Sequence, residues 1–394
     1  MKIKCKANWT RHLLKKSVVI ITTTGLLGGL KSTIAQIPAN NLGEQLLQQT
    51  SQCIKSKLPD TPPSNNLEAL QTASMQCVLQ VTMLAEDGSI RSDASDRITA
   101  LVAATGVSLP QPVSQGQAKI PLKLLPNTNV FTLPVQIGGL SKTFLLDTGA
   151  SASIINSQTA TQLNLQGTPI PNDFMKYVVI GNDCSKVQAS FHKLPPIAVN
   201  AAKVQGLFGI GMSQNSIPVN TSGVLGLDFF TNFDVVINPK KLQLQLLPPS
   251  TPVTGAIPLQ GKLGNMIAQA KINGQGPFNF LLDTGAETTV ISKSLATKLK
   301  IDQTKLTKTE VSGFCGTEKA QKIKLSQLNL QQHQATQIDA VILESDNIFK
   351  VLGIQGIIGQ NFLNRYQQHW RFGKRNPLGY TESGSLVLTP LSNK

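Results

Sequence analysis

The period of the apolar positions changes once along the chain. Between residues 36 and 105, Leu42, Leu46 and Cys53 recur on one helical face, and Leu67, Leu70, Met75 and Val78 keep a similar rhythm, which predicts helices. The stretch Leu58-Pro59-Asp60-Thr61-Pro62-Pro63-Ser64 breaks them. A third helix is expected from Ser92 or Asp93 as N-cap to Gly106 as the residue that ends it. After Pro110-Gln111-Pro112 the period shortens to that of strands. Phe131-Thr132-Leu133-Pro134-Val135-Gln136-Ile137 alternates and ends at a Gly pair. Gly206-Leu207-Phe208-Gly209-Ile210-Gly211 lacks a βαβ context and is expected to be a loop or cleft rim. Ahead of all this, the apolar run Ser17–Leu30 follows a basic segment and precedes Thr33-Ile34-Ala35. That is the order of a secretory signal over residues 1–35, with an uncleaved anchor helix as the other reading.

Length and charge refine the division. The 394 residues suit two or three domains. The net charge of +15 is partly the leader's, since residues 1–35 hold seven Lys or Arg and no acid. Residues 36–118 are net −3 and residues 119–394 net +11, opposite signs that would let the small part dock on the large one, with solvated faces the first reading of most charges. The expected domains are the signal (1–35), a helical accessory domain or prosegment (36–112), and two β-rich units (113–250 and 251–394). No basic-aromatic stripe points to nucleic acid, and no apolar run of about 20 residues would span a membrane once the signal is removed. Four His and no Cys-x-x-Cys pair argue against zinc and iron–sulfur frameworks, so no metal or cofactor is expected. Neither a Gly-x-Ser-x-Gly elbow nor a phosphate loop is present.

Removing the leader takes Cys5 with it and leaves Cys53, Cys77, Cys184 and Cys315. An even count in an oxidising compartment suggests two disulfides, against four buried free thiols. Three connectivities are open. Cys53 and Cys77 sit on two helices joined by the Pro loop, where a staple is geometrically reasonable.

An internal repeat carries the functional argument. Residues 144–156 read Phe-Leu-Leu-Asp-Thr-Gly-Ala-Ser-Ala-Ser-Ile-Ile-Asn, and residues 280–292 read Phe-Leu-Leu-Asp-Thr-Gly-Ala-Glu-Thr-Thr-Val-Ile-Ser. Downstream, Gly226 closes Val224-Leu225-Gly226 and Gly359 closes Ile357-Ile358-Gly359. Strand pairs follow in both copies, Val235–Leu247 and Trp370–Leu388, the second with extra residues near 376–385. In each loop the apolar pair buries the strand that delivers a carboxylate, Asp147 or Asp283. Gly149 and Gly285 permit a tight turn, while the hydroxyls of Thr148 and Thr284 can fix neighbouring backbone. If the copies pack about a pseudo-two-fold axis, the two carboxylates meet and share one proton. One then activates a water while the other polarises a carbonyl.

These paired Asp-Thr-Gly-Ala loops, each with its apolar-apolar-Gly element, resemble the pepsin–retropepsin superfamily of aspartic proteases, and the individual units are similar to bacterial and retroviral retropepsin-like lobes. The resemblance spans roughly residues 118–394. It implies an all-β bilobal fold of two β-barrel lobes, here with a small N-terminal helical domain, and hydrolysis of peptide or protein substrates by an Asp147/Asp283 dyad without metal. It also implies interlocked Thr148 and Thr284 bonds between lobes, and framing of the Asp loops by Gly226 and Gly359. Having both loops in one chain makes a monomer the expected state, in an exported, periplasmic or secreted enzyme. The alternative is a silent peptide-binding module on the same fold.

Two departures matter. Ala150 and Ala286 replace the Ser or Thr that follows the Gly in pepsin-like enzymes, as in retropepsins. Losing that donor should raise the dyad's pKa values and favour mildly acidic over strongly acidic pH. By position, flap hairpins are expected near Tyr177–Val187 and Val311–Ala320, with Gly181 and Gly313 at or near the tips, although neither matches the pepsin flap pattern. Cys184 and Cys315 fall at corresponding flap-like positions. They either tie the two hairpins across the cleft or remain separate thiols.

Overall fold

The structure, a computed structural model, describes residues 41–58, 67–106, 110–172, 175, 177, 179–181, 183–302, 304, 306–376 and 378–391. The signal expected over 1–35 and residues 59–64 of the Pro-rich break lie outside the described residues.

Three helices form the N-terminal unit: α1 (Asn41–Lys57), α2 (Leu67–Val78), which continues as a π-turn over Leu79–Met83, and α3 (Ala94–Thr105). The periodic apolar positions Leu46, Ile54, Val78 and Leu101 meet in one small core. A core of that size contributes little stability by itself. The Cys53–Cys77 disulfide joins α1 to α2 inside it, with Cα atoms 5.7 Å apart. Gly106 ends α3 at φ +63°. Asp93 precedes α3 as expected, but its carboxylate caps nothing. It turns instead to Arg91 at 3.1 Å and Arg97 at 3.8 Å.

The first β-rich copy contains β1 (Val113–Gln115), β2 (Ala118–Pro121), β3 (Lys123–Leu124), β4 (Phe131–Ile137), β5 (Leu140–Leu146), β6 (Ile154–Asn156), α4 (Ser157–Gln162) and β7 (Gly167–Ile170). It goes on through β8 (Ala189–Lys193), β9 (Ile197–Val199), β10 (Ala202–Gln205), β11 (Phe208–Met212), β12 (Gly223–Leu225), α5 (Leu227–Phe230), β13 (Asp234–Asn238) and β14 (Gln243–Leu247). The second copy contains β15 (Ile257–Lys262), β16 (Asn265–Ile272), β17 (Gln275–Leu282), β18 (Thr289–Ile291), α6 (Lys293–Lys298), β19 (Thr307–Gly313) and β20 (Gly316–Leu330). It ends with β21 (His333–Leu343), α7 (Asn347–Leu352), β22 (Gly356–Ile358), α8 (Gln360–Leu363), β23 (Tyr366–Phe372) and β24 (Ser383–Pro390).

Eleven strands of the first copy make one sheet, in the order β1-β10-β9-β4-β5-β12-β6-β11-β8-β7 with β3 on β4. The thirteen-stranded second sheet runs β19-β20-β21-β18-β22-β17-β16-β15-β24-β23-β13-β14-β2. It therefore takes three strands from the first copy. β13 and β23 pair antiparallel across the junction, with Val235 opposite Trp370 and Ile237 opposite Gln368. On either side of that seam the order is the same, β14 then β2 and β24 then β15, which is the expected two-fold relation. Residues alternate inward on these strands. Val235, Ile237, Leu244, Leu246, Trp370 and Leu386 are all buried in one core that reaches into both lobes. A fully buried Trp such as Trp370 is worth about 3–5 kcal/mol against truncation to Ala.

Two expectations are corrected. Residues 208–211 are not a loop, because β11 pairs parallel with β6 and antiparallel with β8 inside the first sheet, while Gly206 and Leu207 lead into it outside the strand. Its glycines are needed for close packing: a Cβ on Gly209 would press on Leu194 and the Ser153 carbonyl, and one on Gly211 on the His192 ring. Among the described residues the flap hairpin expected near Tyr177–Val187 is not seen. β7 and β8 make a hairpin stem, but none of the described residues 177–187 is in a strand, and Cys184–Lys186 is a 3-10 turn. Here the backbone groups of Ile180 and Asp183 bond to Cys315 of the other lobe rather than to a neighbouring strand. The second lobe does form its hairpin, β19–β20, with Gly313 opposite Gly316 at the tip.

Candidate active site

Each Asp is delivered by the same local device. β5 runs parallel to β12, with Phe144 opposite Gly223 and Leu146 opposite Leu225, and the Asp147 N–H donates to the Leu225 carbonyl at 3.1 Å. β17 runs parallel to β22 in the same way, and the Asp283 N–H donates to the Ile358 carbonyl at 3.0 Å. The chain then turns under the loop at Gly226 or Gly359. Both have extended backbones, so φ does not demand glycine. What demands it is contact, since a Cβ would lie 2.7 Å from the Ala150 carbonyl oxygen or the Ala286 carbonyl oxygen respectively.

Thr148 and Thr284 lock the two loops together. The Thr148 N–H donates to Thr284 Oγ1 at 2.9 Å and the Thr284 N–H to Thr148 Oγ1 at 3.1 Å. Each hydroxyl in turn donates across the junction, Thr148 to the Leu282 carbonyl at 2.8 Å and Thr284 to the Leu146 carbonyl at 3.2 Å. Both threonines are buried, so all four bonds are made away from water.

The carboxylates face each other at the centre. Asp147 Oδ1 accepts from the N–H groups of Gly149 (2.7 Å) and Ala150 (3.0 Å), and Asp283 Oδ1 accepts from Gly285 (2.7 Å) and Ala286 (3.0 Å). A Cβ on Gly149 would overlap the Asp283 carboxyl group, and one on Gly285 the Asp147 carboxyl group. Each glycine thus makes room for the acid of the opposite lobe. Burial first, then the charge of Asp283 and a side-chain hydrogen bond with it, hold the Asp147 carboxyl well above the ordinary range. Burial raises Asp283 too, opposed by the hydrogen bond from Asp147 and the surrounding N–H donors. The pair holds a single proton more readily than either isolated carboxyl would, and the two acids share it.

A supporting layer lies behind the loops and was not singled out from the sequence. Ser153 and Thr289 occupy equivalent places six residues after each Asp, and Asp228 and Asn361 equivalent places two after each framing Gly. Ser153 accepts from the Gly226 N–H at 3.1 Å and donates to Asp228 Oδ1 at 2.7 Å. In the second lobe Asn361 Oδ1 accepts from the Thr289 N–H and hydroxyl, and its Nδ2 donates to the Asp339 carbonyl at 2.6 Å. Aligning the two copies on their Asp residues would have exposed these matched polar pairs. Asp228 is the charged odd one out. Burial pushes it up to about 6, against the Ser153 hydroxyl, the Phe229 N–H and the Arg375 charge.

Away from the Thr148–Thr284 lock the two lobes meet again. Cys184 and Cys315 form a disulfide with Cα atoms 4.6 Å apart. The Cys315 N–H donates to the Ile180 carbonyl at 3.1 Å and the Asp183 N–H to the Cys315 carbonyl at 2.9 Å. Buried Glu318 on β20 accepts from the Gly181 N–H as well as from the Ser345 N–H at 2.7 Å. The apolar residues cross over. Phe314 of the second lobe joins the cluster that contains Ala150, and Ile180 of the first lobe joins the one that contains Ala286. On the first-lobe side of this junction, Tyr177 packs in one cluster with Leu79, Met83 and Ile90 of the helical unit and Val351 of the second lobe. Gly181 and Gly313, expected at two hairpin tips, therefore sit in one joined segment. Among the described residues no group of three or more His, Cys, Asp or Glu is arranged to hold a metal ion, and no helix is long and apolar enough to cross a membrane.

Comparison with known proteins gives a matching result. The family described as "gag-polyprotein putative aspartyl protease" matches twice, over residues 133–232 and 268–365, together half of the chain. Each match contains one Asp loop and its framing Gly. Among solved structures, a retropepsin-like aspartic protease from Rickettsia conorii is similar at 24% identity over 34% of this chain and 100% of its own, with a TM-score of 0.26. No curated protein matches. The chain belongs to this aspartyl protease family and carries its unit twice, as two retropepsin-like lobes of one mostly-β fold.

Proposed function

We propose that the chain is an exported aspartic endopeptidase whose Asp147/Asp283 dyad hydrolyses peptide bonds at mildly acidic pH. The observation that supports this most is the pair of buried carboxylates, joined by a hydrogen bond and fixed by reciprocal Thr148–Thr284 bonds. In the first step the ionised carboxylate of the dyad takes a proton from water, the water oxygen bonds to the carbonyl carbon, and the protonated partner gives its proton to the carbonyl oxygen. In the second, the newly protonated carboxyl protonates the amide nitrogen, its partner takes back a diol proton and the C–N bond breaks. The dyad returns to its starting protonation. The oriented N–H groups of Gly149, Ala150, Gly285 and Ala286 spare the carboxylates reorganisation during these transfers.

Residues 36–112 act in this reading as an accessory domain rather than a removable prosegment. Their helices reach Tyr177 and Val351 on both lobes, and a disulfide braces them internally. Two disulfides are compatible with an oxidising, extracytoplasmic setting. The test is peptide hydrolysis between about pH 3 and about pH 7, comparing the chain with Asp147→Asn and Asp283→Asn and adding pepstatin in one arm. Loss of cleavage in either variant is expected. No cleavage by the unsubstituted chain, with or without residues 36–112, would leave a peptide-binding module.

A further inference from the structure

We infer that a cavity beside the Asp147 loop binds a short alkylammonium group: a chain of about four carbons ending in a primary amine, carried by a free amine or by a lysine side chain.

The loop that joins β23 to β24 is longer than its counterpart between β13 and β14, and its extra residues help to build this cavity. Arg375 in that loop gives Nη2 to Thr231 Oγ1 of the first copy at 3.0 Å. A Cβ on Gly264 would lie 2.8 Å from the Ser151 Cβ and 2.9 Å from the Tyr380 ring, so the two lobes touch here. Tyr380 and Thr381 of the loop, Ser151, Asp228 and Pro112 are among the walls of a space of about 110 Å³. An apolar cavity of about 150 Å³ holds a benzene ring, so this one holds about four or five non-hydrogen atoms.

The walls specify the chemistry of the guest. Phe191, Phe208 and Ile210 make much of the surface apolar, which suits a hydrocarbon chain. Asp228 is the one acid in the wall, and no Lys, Arg or His joins it there among the described residues. Its Oδ1 accepts from the Ser153 hydroxyl and the Phe229 N–H, while its Oδ2 is buried without a partner among the described residues. Thr381 Oγ1, on a residue only 3% exposed, is in the same condition. The second lobe has no such vacancy, because Asn361 at the equivalent place is engaged by Thr289 and the Asp339 carbonyl. A buried oxygen left unpaired costs about 1–3 kcal/mol, so a guest that brings N–H donors to these two is favoured. The charge of the wall makes that guest a cation. Two other groups act on the carboxyl: the Arg375 charge favours its ionised form, and the Tyr380 phenol is itself held neutral by burial and by the Asp228 charge.

The test measures binding of n-butylamine, and of n-butanol as its neutral match, to the full chain by ligand-observed NMR. Expected is a preference for the amine of about tenfold or more at about pH 7.5. Amine binding should weaken about tenfold by about pH 5, as the Asp228 carboxyl, which titrates near 6, takes up its proton. Asp228→Asn should abolish the preference, and circular dichroism checks that this variant folds. Thr381→Val, close to isosteric, should weaken the amine at least about threefold and keeps the test decisive if the first variant does not fold. Asp147→Asn alters the dyad and not the cavity, so it should leave amine binding unchanged. Equal binding of amine and alcohol, or a preference that survives Asp228→Asn or Thr381→Val undiminished, overturns the inference. Loss of the amine in Asp147→Asn also overturns it, because the amine would then sit at the dyad. A lysine with both ends blocked as amides completes the comparison. Tighter binding than n-butylamine upholds the site with a polypeptide lysine as its guest, and weaker binding upholds it with a free amine.

Discussion

Replacing Asp228 by Asn tests the electrostatic account of the layer behind the dyad. In the fold this carboxyl titrates near 6 instead of the ordinary 3.8, with burial as the leading cause. That difference corresponds to about 3 kcal/mol of extra cost for ionising it in the folded chain. The folded state holds the proton across that interval while the unfolded chain has released it. The stabilising contribution is thus complete below about pH 4 and is lost as pH rises through about 6. Asn has no proton to lose. Its amide also suits the frame, because Asn361 fills the equivalent place in the second lobe. Asp228 Oδ2 is buried without a hydrogen-bond donor among the described residues, so the variant carries a constant offset of about 1 kcal/mol or more from its own amide. The pH-dependent part is unaffected by that offset. Urea unfolding of both proteins at about pH 4 and about pH 7.5 should show the variant gaining about 3 kcal/mol on the parent between the two conditions. The dyad titrates in both proteins and cancels in the difference. A difference that stays flat with pH, or moves toward the parent at higher pH, would refute the reasoning.

Two further outcomes are expected. Ala150→Ser with Ala286→Ser gives each dyad carboxylate a hydroxyl donor, which favours the ionised form, so the high-pH limb of the pH–rate profile should move to lower pH. An unmoved limb would mean that the hydroxyls do not reach the acids. Thr148→Val with Thr284→Val removes four buried bonds and leaves two buried N–H groups without partners. Unfolding should become easier by about 4 kcal/mol or more in chemical denaturation, and a loss below about 1 kcal/mol would show that the lobes are held elsewhere.

The Asp loops were legible in the sequence because a duplicated unit repeats its constraints. Phe-Leu-Leu-Asp-Thr-Gly-Ala occurs twice, and the glycine that frames each loop is fixed by main-chain contacts within about 3 Å, which any working copy must satisfy. The Cys184–Cys315 tie was legible as one of two readings, because the cysteines hold corresponding positions in the two copies. The path of the first-lobe segment around it was not, since the backbone groups of Ile180 and Asp183 bond to Cys315 of the other lobe and no local pattern carries that information. β11 was hidden for a related reason. Its glycines serve contacts with Leu194 and His192, and a Gly-rich string reads as a turn until those neighbours are known. The shared sheet was half visible, as two strand pairs at equivalent places, while their pairing with each other depends on the two-fold packing.

The seam at β13 also sets an order of events during synthesis. Asp234–Asn238 is an apolar, mostly buried strand whose outer edge is satisfied only by β23. Val235 leaves the ribosome well before Trp370 exists, so the first copy must wait with an open edge until nearly the whole chain has been made. Such an edge is where unfinished β-proteins pair with the wrong neighbour. Whatever receives this chain as it emerges therefore has to shield one short strand for the length of a second lobe.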